Sequence, residues 1–400
     1  MKNLCSLFPK ASKKSKLLFN LLSSIPPASH LVHRSSFIVF TILIFNVFQL
    51  FSQTFQTSIG YPAPTDERGA SGLLANNGNH IILGGNTQHP SGLFNPAGDM
   101  QLIRLDPLGN LLSPSKILGQ DVGETATWIE KATDCNGGQG YIIAGNEYNG
   151  GSNNMLLTLT DAAGNPSWVR RIGTSNDDEK SACVKQDGAG NFILVGTKTD
   201  AAGISYIHAI KTDCAGTLLW EWTYRVNGLP TVASVTAFAT FQSACPNLPN
   251  DYFVTGKVFA AGGNERVFIL SLQVPTGNVS WMKTYDVAPN ADDAGTCIQG
   301  NCGGPAPAVG SLWVSGYSLE PSGSNPRKVL MMQTDLSGNL VWANNYDIQN
   351  SPIETATHFQ FALNNQLVLT GKAEDSGVSD PPELGQCMLM RLDQNGSSVD

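Results

Sequence analysis

The chain has 400 residues, of which 41% are hydrophobic and only 14% charged, with 41 glycines, 22 prolines and a formal charge of −8. The acidic balance argues against nucleic acid as a partner. The glycine and proline content, with no helical apolar period after residue 60, argues against a helical protein.

The first 52 residues stand apart from the rest. They carry Lys2, Lys10, Lys13, Lys14, Lys16 and Arg34 and no acidic residue, followed by an uncharged, mainly apolar run over 36–51. Basic flank, apolar core and a small residue at Ser52 predict an export signal. The run is shorter than the roughly 20 residues that a membrane span needs. The rival reading is an uncleaved signal anchor. Removal near residue 53 takes the formal charge to −14, because six cations leave and no anion does. The expected mature product is residues 53–400, exported to the exterior or surface of a bacterium, monomeric and without stable membrane insertion.

From residue 67 onward the chain repeats itself. A short apolar run ending in glycine recurs at Ile82-Leu-Gly-Gly85, Ile142-Ile-Ala-Gly145, Ile193-Leu-Val-Gly196, Phe253-Val-Thr-Gly256, Trp313-Val-Ser-Gly316 and Val368-Leu-Thr-Gly371. About 20 residues after each comes an Asp-x-x-Gly phrase that leads towards Trp. It is clearest at Asp161-Ala-Ala-Gly164-Asn165-Pro-Ser-Trp168, Asp213-Cys-Ala-Gly216-Thr-Leu-Leu-Trp220 and Asp335-Leu-Ser-Gly338-Asn339-Leu-Val-Trp342, and degraded at 106–109, 274–281 and 393–396. Short β-branched and aromatic runs read as buried strands. Two landmarks in the same six-fold phase, with successive Asp phrases 52 to 61 residues apart, are the pattern of a propeller with one copy per blade.

The third copy shows the expected blade: strands over 179–186, 191–196, 205–213 and 218–224, with Asp187-Gly-Ala-Gly190 and Asp213-Cys-Ala-Gly216 as tight turns. In such turns Asp bonds its own downstream backbone and Gly accepts positive φ. The recurrent Asp is therefore a turn residue, since Asp161-Ala-Ala-Gly164 lacks the further oxygen ligands of a calcium loop. The recurrent Trp opens the outer strand and serves as core or cover. The predicted fold is all-β: a six-bladed β-propeller of four-stranded antiparallel blades, closed by the N-terminal strand. Residues 53–60 supply that strand, pairing beside 386–393, because Phe55-Gln-Thr-Ser-Ile-Gly60 aligns with Trp168-Val-Arg-Arg-Ile-Gly173 and no Trp follows Asp393-Gln-Asn-Gly396.

Each first strand opens near an acid, at Glu67, Glu124, Glu179, Asp293 and Glu354, with none near Thr231 in the fourth copy. Two residues on stands a small side chain: Gly69, Ala126, Ser181, Ala233, Gly295, Ala356. Small residues suit the innermost strand, where blades converge. Two readings of the acids compete. Glu124, Glu179, Asp293 and Glu354 are the candidate metal ligands if a carboxylate ring holds a cation, calcium foremost. The favoured reading is that they accept backbone N–H bonds that tie neighbouring blades together. No other cofactor is indicated, and no catalytic residue is assigned.

Other chemistry is sparse. His80, His89, His208 and His358 have no metal-ligand spacing, and His208 and His358 fall within strands as packing residues. No Gly-x-Ser-x-Gly elbow or phosphate loop occurs, and Gly137-Gly138-Gln-Gly140 leads into a strand. Cys183 and Cys297 are expected as buried thiols on innermost strands. Cys135, Cys245 and Cys302 fall in first-to-second loops and Cys214 in a third-to-fourth turn, on one face of a propeller. A bridge such as Cys214 to Cys245 is geometrically feasible, and the sequence selects no pairing.

The phrases Trp168-x4-Gly173, Asn176-Asp-Asp-Glu179, Asp187-Gly-Ala-Gly-Asn191, the strand end at Gly196 and Lys211-Thr-Asp213-x-x-Gly216 resemble the bacterial β-propeller repeat abbreviated SBBP, over roughly 54–400. The resemblance implies a secreted or cell-surface structural module without a common active site. Departures are Val274 in place of Asp, Ser113-Pro114 where Trp is expected, and insertions in copies four and five. Asp-x-x-Gly-x-x-x-Trp also resembles the tryptophan-docking motif of pyrroloquinoline quinone propellers, which implies a quinoprotein dehydrogenase or an outer-membrane assembly scaffold. The six repeats and the lack of adjacent cysteines weigh against that. The leading expectation is an extracellular binding or structural module contacting protein or glycan through loops on one face. The alternative is an enzyme acting on polysaccharide or a small molecule at the channel mouth.

Overall fold

The computed structural model describes residues 67–400 except 77, 87–98, 113–115, 119–122, 175, 227–231, 243–250, 261–262, 302–309, 321–326, 348–352, 363–365, 375–385, 394 and 399–400. Among the described residues every regular element is a strand. Blade one holds β1 (Glu67–Leu74), β2 (His80–Asn86), β3 (Asp99–Leu105) and β4 (Lys116–Ile117). Blade two holds β5 (Gly123–Thr133), β6 (Gln139–Asn149), β7 (Ser152–Asp161) and β8 (Pro166–Ile172). Blade three holds β9 (Asp178–Gln186), β10 (Phe192–Thr199), β11 (Ser205–Thr212) and β12 (Leu218–Tyr224). Blade four holds β13 (Val232–Gln242), β14 (Asp251–Ala260), β15 (Glu265–Gln273) and β16 (Val279–Tyr285). Blade five holds β17 (Asp292–Asn301), β18 (Ser311–Leu319), β19 (Arg327–Asp335) and β20 (Leu340–Tyr346). Blade six holds β21 (Ile353–Phe361), β22 (Leu367–Glu374) and β23 (Gln386–Leu392).

Strands pair antiparallel in chain order within each blade, so the molecule is a six-bladed β-propeller. The strand expected from residues 53–60, and with it the fourth strand of blade six, lies outside the described residues, as does the export segment. The core is layered between blades rather than within them. Ile81, Leu83, Ile129 and Ile143 fill the first junction, Leu157, Val184 and Leu194 the second, and Val195, Val254 and Leu270 the third. Phe253, Ile269, Val314 and Leu330 fill the fourth, and Trp313, Met331, Phe359 and Leu369 the fifth.

The Asp-x-x-Gly phrase is a turn, as its chemistry requires. In the second blade Asp161 Oδ1 accepts the Asn165 backbone N–H at 2.8 Å, and the Gly164 N–H reaches the Asp161 carbonyl at 3.0 Å. Asp187, Asp213, Asp335 and Asp393 repeat this arrangement. The Trp is more than a cover. Trp168 Nε1 donates to the Cys214 carbonyl and Trp281 Nε1 to Leu336, each in the next blade's turn, and in blade three Trp222, two residues beyond the recurrent Trp220, makes the corresponding bond to Thr276. Gly338, at φ 74°, lies so close to Trp281 that a Cβ would sit 2.5 Å from the ring. Each turn thus clasps the blade before it.

The strand-ending glycines do not end their strands. β10 runs three residues past Gly196, to Thr199. The reason lies on the neighbouring inner strand, where all six blades carry a β-bulge, at Ala70, Thr127, Ala182, Phe238, Thr296 and Thr357. Each bulge drives a carbonyl at the facing second strand. A Cβ at Gly196 would lie 2.0 Å from the Lys180 oxygen, and at Gly316 1.8 Å from that of Ala294. Only glycine fits there. The register also corrects the fourth copy. Ala237, not Ala233, pairs with Gly256, as Ser181 does with Gly196, and Val235 takes the place of the acid.

Candidate functional site

The bulges crowd the inner strands around an opening of about 520 Å³. Its wall comes from the inner strands of four successive blades, through Ala70, Ala126, Ser181 and Ala237 among others, and from the end of β10 and the start of β11. It is one mouth of the central channel, on the side of the second-to-third connections. The alanines keep it open, and hydroxyls line it: Thr127, Ser181, Thr197, Thr199, Ser205 and Thr236. The hydroxyls are mutually ordered, with Thr127 to Ser181 at 2.9 Å and Thr199 to Ser205 at 3.0 Å. Ser181 is further anchored by Asn146 Oδ1, which accepts its N–H at 2.6 Å.

Asp178 and Lys180 supply the charge of this lining, 2.7 Å apart. Asp178 also accepts the Asn153 backbone N–H at 2.9 Å and its amide at 2.6 Å. Burial works to raise its pKa, but Lys180 and Asn153 outweigh it, so the carboxyl stays below the ordinary Asp value. The Lys180 side chain is more than half exposed, with its ammonium on Asp178. Because β9 alternates, Glu179 points the other way, into the junction behind the wall. There Lys198 Nζ bridges Asp177 at 2.8 Å and Glu179 at 3.1 Å, and His208 Nε2 meets Glu221 at 2.9 Å.

Deeper along the inner strands the channel is filled. Trp128 lies 6.1 Å from the His358 ring across the axis, between blades two and six. Lys185 Nζ stands 5.2 Å over the Trp128 ring and 2.5 Å from Glu130. Cys297 Sγ is 3.6 Å from His358 Nδ1. Burial pushes the Cys297 thiol up to about 11 and, with Lys185 adding to it, holds His358 below its ordinary value. His358 is therefore a neutral floor residue of the channel, whereas His208 packs as expected. The free cysteines Cys183 and Cys297 are buried.

Four of the first-strand acids are buried, with Glu179, Asp293 and Glu354 at 0% exposure and Glu124 at 2%. Asp293 Oδ2 accepts the N–H groups of Val287 and Ala288 at 2.7 and 3.2 Å, and Glu179 Oε1 that of Thr174 at 3.3 Å. All three bonds hold the link from one blade's outer strand to the next blade's inner strand. Burial raises the pKa of both carboxyls despite these bonds. Among the described residues no three His, Cys, Asp or Glu side chains gather as a metal-binding set, so the four candidate ligands do not meet in one site.

On the opposite face, Cys135 and Cys214 form a disulfide. Both lie on the face expected from topology, but Cys214 pairs back to blade two rather than forward to Cys245, which lies outside the described residues. The reason is the clasp: Gly216, in the same turn, packs on Trp168 and Arg170 of blade two.

No protein-family model and no curated protein matches the chain. Solved structures do. The GH93 α-L-arabinofuranosidase of Fusarium graminearum in complex with arabinobiose aligns with a TM-score of 0.51 at 10% identity, over 81% of this chain and 92% of that one. An α-L-arabinanase of Penicillium chrysogenum complexed with arabinobiose gives 0.51 at 11% identity, over 81% and 92%. A polysaccharide lyase of family PL25, an ulvan lyase, gives 0.50 at 10% identity, over 82% and 79%. At such identity the likeness establishes the propeller fold that this chain shares with them.

Proposed function

We propose that this protein is an exported enzyme acting on a polysaccharide, with the saccharide entering the channel mouth that holds Asp178 and Lys180. The observation that carries the reading is the mouth itself: an opening of about 520 Å³, walled by alanines and hydroxyls, with one ion pair at its wall. Closely spaced hydroxyls suit a polyhydroxylated ligand, and a few convergent polar groups in a concave site are the usual form of a small-molecule site. The named activities of the structural neighbours, an α-L-arabinofuranosidase, an α-L-arabinanase and an ulvan lyase, support a polysaccharide substrate over a purely structural module. In this proposal Asp178, kept ionised by Lys180 and Asn153, accepts a proton from the substrate, and Lys180 balances developing negative charge. Export is supported by the disulfide, which forms and persists in oxidising compartments. The SBBP-like repeat is the scaffold within this proposal, since its residues are those of turns, clasps and bulges.

One observation favours a second reading, a polysaccharide-binding module. Glycoside hydrolysis commonly uses two carboxylates, and Asp178 is the carboxylate of the described lining. The test is incubation with a panel of neutral and uronic-acid polysaccharides. New reducing ends and the ultraviolet absorbance of unsaturated products would separate hydrolysis from elimination. Product formation that is lost in Asp178→Asn supports the enzyme. Saturable binding without product supports the module, and neither result on any polysaccharide overturns both.

A further inference from the structure

We propose that a second pocket, at the junction of blades one and two on the face opposite the channel mouth, binds a single anionic sugar residue through Arg104 and Lys131. The cavity holds about 220 Å³. That is below the 300–1,000 Å³ or so of drug-sized sites and suits one ring rather than a chain segment. Its polar lining consists of Arg104 and Lys131 with the carboxamides of Asn76, Asn79 and Gln139, and Tyr141 forms part of the wall. No carboxylate lines it among the described residues. On a chain of net charge −8, a lining with two cations gives this pocket the opposite sign.

The side chains are held rather than loose. Arg104 Nη1 donates to the Ala162 carbonyl at 3.4 Å, across the blade junction. Lys131 Nζ donates to Asn76 Oδ1 at 2.9 Å, and Asn76 Nδ2 donates to Gln139 Oε1 at 3.3 Å. Asp161, within electrostatic reach of Arg104, has its oxygens engaged by Asn165 in the turn. A guanidinium fork and a three-proton ammonium are the groups that recognise an oxyanion. Carboxamides, each both donor and acceptor, match ring hydroxyls. The shared chemistry is therefore a carboxylate or sulfate carried on a sugar. The pocket does not require the channel mouth to be catalytic.

Calorimetric titration of the full mature protein with glucuronate, a sulfated monosaccharide and glucose tests the assignment. Glucuronate or the sulfated sugar should bind saturably, and more weakly as salt rises. Glucose should bind at least tenfold more weakly. Lys131→Met and Arg104→Met should each weaken anionic-sugar binding at least tenfold, while Asp178→Asn leaves it unchanged. Should Arg104→Met fail to fold, the exposed Lys131 carries the test through Lys131→Met and Lys131→Glu. Equal affinity for glucose and glucuronate, undiminished binding in the Lys131 variants, or saturable binding of a glutamate-rich peptide but of no sugar would overturn the proposal. Absence of product from every polysaccharide, with glucuronate binding retained, would overturn the reading of the mouth and leave this one standing.

Discussion

Removing the disulfide between Cys135 and Cys214 is the sharpest perturbation of the blade junctions. The bridge spans 79 residues and joins blade two to blade three. In the chain-entropy treatment, closing a loop of that length removes about 4.5 kcal/mol of freedom from the unfolded chain at 25 °C. Folding draws on that full amount only where the folded chain holds the two cysteines together without the bond. The clasp does so here, because Trp168 already donates to the Cys214 carbonyl at 3.2 Å. The double variant Cys135→Ser, Cys214→Ser should therefore fold and lose up to about 4.5 kcal/mol. For a unit of this size that lowers the melting temperature by roughly 6 °C. Urea denaturation should also show a steeper dependence, since the uncrosslinked chain exposes more surface on unfolding. The assay is calorimetric melting together with urea titration, with wild type and variant compared with and without reductant. A variant that melts with the oxidised wild type, or a wild type insensitive to reductant in the unfolded state, would refute the reasoning.

Gly196→Ala should destabilise by about 3 kcal/mol, since its Cβ would meet the Lys180 carbonyl at 2.0 Å, and urea unfolding measures this. Lys211→Met should cost about 3–5 kcal/mol, because it leaves Asp187 buried without the ammonium now 2.9 Å away, and adding Asp187→Asn should recover part of the loss. His358 is held neutral by burial and by Lys185, with Glu130 opposing and Trp128 and Cys297 against the ring. The unfolded chain takes up that proton near pH 6.5 and the folded one at lower pH, so its contribution to stability is lost as pH falls below about 6.5. Melting between pH 7 and 5 should accordingly be flatter in His358→Gln than in wild type. Asp293 behaves in the opposite sense. Its raised pKa makes it most favourable when protonated, so stability is lost as pH rises through its folded value, and Asp293→Asn should remove that slope in the acid-side melting profile.

What the sequence made legible was local. Asp161 and Gly164 close a turn by bonds within five residues, so residue type and spacing suffice to read it, and their six-fold recurrence gives the blade count. The recurrent glycine was seen but misread, since its cause is a bulge on a different strand, and a carbonyl from Lys180 leaves no mark near Gly196. The fourth blade slipped for a related reason: without an acid to mark the strand, Ala233 was as good a small residue as Ala237. The partner of Cys214 depended on which way a turn leans. Neither pocket was legible. The mouth is assembled from Ala70, Thr127, Ser181 and Thr236, over 160 residues of chain, and the second pocket joins Asn76, Arg104 and Lys131. Each is an ordinary residue in its own stretch, and only the stacking of blades gives them a common task.

The central claim is that the hydroxyl-lined mouth receives a saccharide. It is tested most directly by determining the structure of the protein with an oligosaccharide from whichever polysaccharide it processes or binds. A sugar ring is expected in the mouth, hydrogen-bonded among Ser181, Thr199 and Ser205 and within reach of Asp178 and Lys180. An oligosaccharide seated elsewhere on the propeller, with this mouth empty at saturating ligand, would contradict it.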